Sequence, residues 1–172
     1  MTLYTIGHST RSLPEFVQLL QRHGVRQLAD VRTIPKSRRH PHFARDALAS
    51  SLPEAGIAYR HFPGLGGLRK PAPASVNGGW RHASFRGYAD YMQTPAFATA
   101  LGELIAWSTE GLTTVMCAEA VWWQCHRQLI ADALVARGVE ARHILSEKPA
   151  AAHALTSFAR VDAGRVTYPG LV

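Results

Sequence analysis

The chain reads as an α/β protein, a single Rossmann-like layered domain over residues 1–172 with a mostly parallel sheet flanked by helices. Three observations predict this. Short apolar, β-branched runs alternate with segments of helical period along most of the chain. Such alternation implies βαβ units and a sheet covered on both faces. The length of 172 residues suits one core, and 47% hydrophobic against 18% charged residues is a globular balance, not a disordered one.

Taken in order, residues 3–7 (LYTIG) are the first strand, closed by Gly, His and Ser. Ser12 is a helix cap, Pro14 suits a first turn, and Phe16, Val17, Leu19 and Leu20 recur at helical spacing up to Gly24. Residues 27–31 (QLADV) are the second strand, followed by the basic segment TIPKSRRHPHFAR. A helix fits 45–54 with a stop near Gly56, and 57–62 (IAYRHF) is the third strand. Residues 63–84 are rich in Gly and Pro and show no period. So long a structureless stretch reads as an insertion or lid, or else as a linker. Helical pattern runs from Phe85 to about Ser108, interrupted or kinked at Pro95. Residues 112–117 are the fourth strand, 124–137 a helix ended by Gly138, and 141–145 (ARHIL) the fifth strand. Residues 150–172 form a C-terminal extension, read as a short helix near 150–155 and a hairpin turned at 162–164.

Parallel strands deliver their C-terminal ends to one edge of the sheet, where ligands bind. Those ends carry Gly7, His8 and Ser9, then Asp30 and Arg32, then Pro63 and Gly64, then Cys117 and Glu119. The densest stretch is 113–130, TTVMCAEAVWWQCHRQLI. It predicts a strand, a loop with Cys117, Glu119, Trp122 and Trp123, and a helix with Cys125, His126 and Arg127 in its first turn. A helix N-terminus offers amides and a positive dipole end to an anion, and an arginine fork there suits phosphate or carboxylate. Arg127 paired with Glu119 or Asp30 is the competing reading.

Cys117 is either a small buried hydrophobe or a thiolate activated by the following helix. An arginine a few residues after the cysteine, as in phosphatase and sulfurtransferase loops, is missing, because position 123 is Trp. Glu119, His126 and His8 are candidates for moving protons. Asp30 and Arg32, alternate residues on one strand end, suit an ion-pair network at the site. Ser9 is a hydroxyl donor for an anion, or a turn cap. Trp123 can stack on a planar ligand, and of Tyr88 and Tyr91 the former is the pocket candidate. No cofactor is expected. A metal at Cys117, Cys125 and His126 is the alternative, although seven residues between the cysteines is atypical of zinc sites, and a redox pair lacks a C-x-x-C spacing.

A formal net charge of +7, with nine histidines uncounted, favours an anionic partner. No apolar run approaches the roughly 20 residues of a membrane helix, so no membrane partner is expected. No basic-then-apolar leader precedes the first strand, and cytoplasm is the expected compartment.

The chain resembles the domain-of-unknown-function family numbered 488, through TIGHS at 5–9, DVRTIPKS at 30–37, LGG at 65–67, FRGYADYM at 85–92, MCAEAVWWQCHRQLIADAL at 116–134 and ARHI at 141–144. The resemblance implies a cytoplasmic α/β domain whose recurring polar residues are His8, Ser9, Asp30, Arg32, Ser37, Cys117, Glu119, Cys125, His126 and Arg127. It implies no reaction. The stretch 120–123 is less polar than in many relatives.

Three functions follow as expectations. The first is an enzyme on a phosphorylated or nucleotide-like anion, with Cys117, Glu119, His126 and His8 catalytic and Ser9, Asp30, Arg32, Ser37, Tyr88, Trp123, Cys125 and Arg127 binding. The second is a non-catalytic nucleic-acid-binding module, suggested by basic charge and tryptophans but lacking a recognition motif. The third is a metal- or redox-sensing domain on the two cysteines.

Overall fold

The computed structural model describes residues 1–170. The strands are β1 (Thr2–Gly7), β2 (Gln27–Asp30), β3 (Ala58–His61), β4 (Thr113–Cys117), β5 (Glu140–Ile144), β6 (Ala151–Ala152), β7 (Arg160–Asp162) and β8 (Arg165–Thr167). The helices are α1 (Leu13–Arg22), α2 (Arg45–Glu54), α3 (Ala83–Tyr91), α4 (Pro95–Ser108) and α5 (Arg127–Ala136). The α/β architecture expected from the alternation is present: a six-stranded sheet of order β3-β2-β4-β1-β5-β6, parallel except for β6. Inserting β4 between β2 and β1 departs from the 3-2-1-4-5 order of dinucleotide-binding sheets.

Local chemistry sets the boundaries. Ser12 Oγ accepts the Glu15 amide at the start of α1, with Pro14 in the first turn, and the chain leaves through Gly24 at φ +71°. Phe16, Leu19 and Leu20 recur on the buried face of α1. The helical run at 85–108 breaks in two because Thr94 caps a new helix at the Phe97 amide and Pro95 suits its first turn.

Two cores follow from the pleat. Ile6, Leu28 and Met116 point toward α1 and α2, where Phe16, Leu20, Phe43, Leu48 and Leu52 meet them. Leu3, Ala29, Val115 and Cys117 point the other way, toward α3, α4 and α5. The loops after β1 and β2 therefore lead to one face and those after β3 and β4 to the other. They part at the C-terminal edge, where a crevice opens.

The Gly/Pro-rich segment is anchored without regular structure. The Asp90 carboxylate accepts from Ala72 N, Ser75 Oγ and Asn77 Nδ2, the Asn77 oxygen accepts from Tyr168 N, and Trp80 packs on Tyr168 at 5.3 Å. Tyr88 and Tyr91 hydroxyls hold the Leu65 and Gly64 carbonyls.

Two expectations are corrected. The helix near 150–155 is instead an extended segment: Ala151 and Ala152 pair with β5, and the His153 amide bonds the Ala141 carbonyl at 2.7 Å. Alanine propensity loses here because a helix would pull His153 away from its buried carboxylate partner, Asp132. The helix expected from 124 begins only at Arg127, after a 3₁₀ turn over Trp122–Gln124 and an extended Cys125 at φ −141°, ψ 154°. The 160–167 hairpin turns through Ala163 and Gly164, both at positive φ. Of the C-terminal extension, 171–172 lie outside the described residues. No described helix is long and apolar enough to cross a membrane.

Candidate functional site

β4 does not end its pairing at Cys117. The His8 and Ser9 amides bond the Cys117 and Ala118 carbonyls at 2.9 and 3.0 Å, so residues 117–119 run on beside the β1 loop. Gly7 is required by this approach. A Cβ there would lie 1.6 Å from the Glu119 carbonyl oxygen. The continued segment divides the crevice into two cavities, one over each face of the sheet.

The first, about 360 Å³, lies on the α3–α5 side. Arg32, Thr33, Ile34 and Lys36 form one wall, Gly67, Leu68, Ser84 and Phe85 another, and Cys117, Glu119, Cys125 and His126 the floor. The His126 ring is held by a hydrogen bond of 2.9 Å from Nε2 to the Val31 carbonyl, and it packs on Tyr88 at 5.0 Å. A carbonyl only accepts, so Nε2 carries the proton. In the neutral ring Nδ1 is then an acceptor, and it faces the Cys125 sulfur at 3.5 Å.

The two thiols differ. Burial pushes the Cys117 thiol up, and the neighbouring Cys125 sulfur pushes it further. Burial opposes ionisation of Cys125 as well. There it is outweighed by the Cys117 thiol, by His126 and by the Arg127 charge, which together hold Cys125 well below the ordinary thiol range. Its sulfur also accepts the Arg127 amide at 3.5 Å. Both thiols are free.

At the cleft wall, Arg32 forms a fork with the fully buried Asp30 at 2.9 and 2.7 Å and reaches the Phe43 carbonyl. Its Nη1 is buried with no hydrogen-bond partner among the described residues. Tyr59 caps the same carboxylate. Asp30 is thereby a support for Arg32 and does not line the cleft.

The second cavity, about 400 Å³, opens on the α1 side, between His8, Ser9 and Thr10 and residues 37–40, with Ala118, Glu119 and Ala120 as its floor. His8 stacks on Phe43 at 4.3 Å and bonds the Ser9 carbonyl through Nδ1. Burial brings its pKa down to about 4, so the ring is neutral near pH 7. Ser9 sits at φ 53°, uncommon for a residue other than Gly. Ser37 lies here too, accepting the His40 amide.

Besides Asp30, three expected site residues lie outside both cavities. Arg127 is fully buried; its Nη2 donates to the Glu119 carbonyl at 2.7 Å and its Nη1 to Thr5 at 3.3 Å. The amides at the start of α5 are also engaged, Gln128 N with the Cys125 carbonyl and Leu129 N with His126. Arg127 and the first three amides of α5 thus hold the loop. Tyr88 is fully buried beneath His126 and lines neither cavity. Trp123 is 48% exposed, edge-on to Trp122 and outside both cavities. Among the described residues no three His, Cys, Asp or Glu side chains form a metal-holding group.

Sequence reasoning passed over a buried polar chain behind the cleft. Arg127 donates to Thr5, Thr5 Oγ1 meets His143 Nδ1 at 2.6 Å, His143 Nε2 meets His153 Nδ1 at 2.8 Å, and His153 Nε2 meets Asp132 at 2.8 Å. Tyr168 and the Thr156 amide also donate to Asp132. Arg127 only donates and the carboxylate only accepts, so with neutral rings a single direction of protons fits every link. Burial, then the neighbouring His153 ring and the Arg127 charge, bring the His143 pKa down to about 3, and Trp122 stacks on its ring at 4.3 Å and 8°. An acid at 132 among Leu129, Ala133 and Leu134 on a buried helix face was the available signal.

No curated protein and no solved structure was found to match the chain. A family model, described as a domain of unknown function, does match, over residues 12–134, and this covers both cavity floors and the Cys125–His126 pair. The chain therefore belongs to the domain-of-unknown-function family DUF488.

Proposed function

We propose that this protein is an enzyme that uses Cys125 as a nucleophilic thiolate, with His126 as its proton partner, on an anionic substrate bound in the first cleft. The observation that carries the reading is the Val31 carbonyl, which fixes the His126 tautomer and turns Nδ1 toward the Cys125 sulfur. Lys36 supplies positive charge without a partner among the described residues on the opposite wall, beside Arg32, whose charge is paired with Asp30 and whose Nη1 has a hydrogen bond to spare, while Ile34, Leu68 and Phe85 offer apolar surface to the rest of the ligand. A phosphorylated or nucleotide-like small molecule fits that combination. The fold edge is then used in a Rossmann-like way, in a cytoplasmic setting.

The chemistry balances without a cofactor. The sulfur forms a bond to the electrophilic centre, the bond to the leaving group breaks, and the Nδ1 proton goes to the leaving group. Water then bonds to the same centre, returns its proton to Nδ1, and the bond to sulfur breaks, restoring the thiolate–imidazolium pair. Cys117 stays a thiol, its one proton shared between the Cys125 sulfur and the Glu119 carbonyl 3.8 Å away.

Alkylation read by mass spectrometry across pH tests this directly. Cys125 is expected to react with a midpoint well below the free-thiol value of about 8.5, Cys117 to react slowly, and His126→Ala to move the Cys125 midpoint up toward that value. Equal rates at both cysteines, or no shift in His126→Ala, would remove the thiolate. A second reading, binding to nucleic-acid phosphates, is favoured by exposed Lys36, Arg38 and Arg39 on one loop and exposed Arg45 at the start of α2. It requires affinity that falls steeply with salt.

A further inference from the structure

The second cavity does not share its polar character with the first. One wall carries Arg38 and Arg39, exposed and without a hydrogen-bond or ion-pair partner among the described residues, with the Ser37 hydroxyl beside them. The facing wall carries acceptors. His8 is 4% exposed, its Nδ1 is committed to the Ser9 carbonyl, and its Nε2 has no partner among the described residues. Nδ1 must carry the ring proton to serve a carbonyl, so Nε2 presents a lone pair. Glu119, exposed and lining both cavities, has a carboxylate without a partner among the described residues.

Bare phosphate suits only half of such a cavity, because a lone pair and a carboxylate repel it. A neutral polyol suits only the other half. A molecule with hydroxyl donors at one end and a phosphate at the other satisfies both walls. Its hydroxyls donate to His8 Nε2 and Glu119, and its phosphate takes the two guanidinium groups and the Ser9 and Ser37 hydroxyls. Ser9, at φ 53° and held through its amide to the Ala118 carbonyl, lines the same cavity. We propose that this second cavity is a binding site for a sugar phosphate, the phosphate on Arg38 and Arg39 and the sugar hydroxyls on His8 and Glu119. It lies across the Ala118–Glu119 segment from the thiol cleft, and it does not depend on thiol chemistry.

The test follows the His8 ring signal by NMR in the whole protein during titration with ribose 5-phosphate, ribose and inorganic phosphate. Ribose 5-phosphate is expected to shift the signal saturably and to bind at least about tenfold more tightly than either of the other two. Arg38→Ala/Arg39→Ala, at exposed positions whose loss leaves the fold intact, should weaken it by at least about tenfold. Glu119→Gln should weaken ribose 5-phosphate and leave inorganic phosphate no weaker. No saturable shift, phosphate binding as tightly as the ester, or an unaltered titration in the double variant would each overturn the proposal. The thiol reading stands or falls separately on its alkylation profile.

Discussion

Two polar regions meet at Arg127, and they are built on opposite terms. Behind β1, the chain from Arg127 through Thr5, His143 and His153 to Asp132 matches each donor to an acceptor, and only Arg127 Nε is left over. In front, Arg32 Nη1, His8 Nε2, the Glu119 side chain, Lys36, Arg38 and Arg39 have no hydrogen-bond partners among the described residues. A buried polar group is tolerated when it is paired, so the first region is scaffold and gains rigidity from its completeness. Unpaired groups lining cavities are what a ligand would complete. The contrast separates residues that residue type alone made look equivalent: Arg127 and Arg32, or His143 and His8.

The sharpest way to break the comparison is to empty the scaffold's acceptor. Asp132→Ala leaves His153 Nε2, the Tyr168 hydroxyl and the Thr156 amide without a partner in the interior. A loss of about 3–5 kcal/mol is expected, read as a lower urea midpoint. Cys125→Ser in the cleft should change stability by only about 1 kcal/mol or less. Similar losses in both variants would show that the cleft is as structural as the chain behind it.

Acid gives the next largest effect and distinguishes the two histidines. His8 is held at about 4 and His143 at about 3, chiefly by burial, against about 6.5 in an unfolded chain. Below pH 6.5 the unfolded state takes up protons at both positions while the folded state does not. Stability is therefore full above about pH 6.5 and falls as pH is lowered, until each folded value is passed. His8→Phe, which keeps the stack on Phe43, should make the fall between pH 6.5 and 4 shallower and leave the fall from 4 to 3 in place. An unchanged profile would mean that His8 ionises as freely in the fold as outside it.

Strand ends, caps and most helix limits were legible because they are local. Ser12, Pro14, Thr94 with Pro95, and the Gly24 and Gly56 stops act within a turn of themselves. Convergence of His8, Cys117 and Glu119 was legible because parallel strands share an edge. The order of the strands, and the division into two cavities, required β4 to lie between β1 and β2, which no residue announces. The roles of the cysteines depended on which carbonyl meets His126, and Val31 is 95 residues away. Arg127 looked like an anion clamp because helix position and charge are local facts, whereas its partners, Thr5 and the Glu119 carbonyl, are supplied by the tertiary fold.

The smallest expected effect is also the most selective. Gly67 faces the His126 ring from the Gly/Pro-rich segment, and a Cβ there would lie 2.6 Å from Nδ1. The Gly67 backbone is not among the positive-φ positions, so Gly67→Ala adds bulk without adding backbone strain. At that distance the imidazole must move, and the atom displaced is the one that faces the Cys125 sulfur. The fold should tolerate the change within about 1–2 kcal/mol. The alkylation midpoint of Cys125 should rise in the same direction as in His126→Ala and by less, because the ring is misplaced and not removed. A Cys117 rate that does not move in the same sample would place the effect on the Cys125–His126 contact. Equal acceleration of both cysteines would mean that the substitution had merely loosened the cleft.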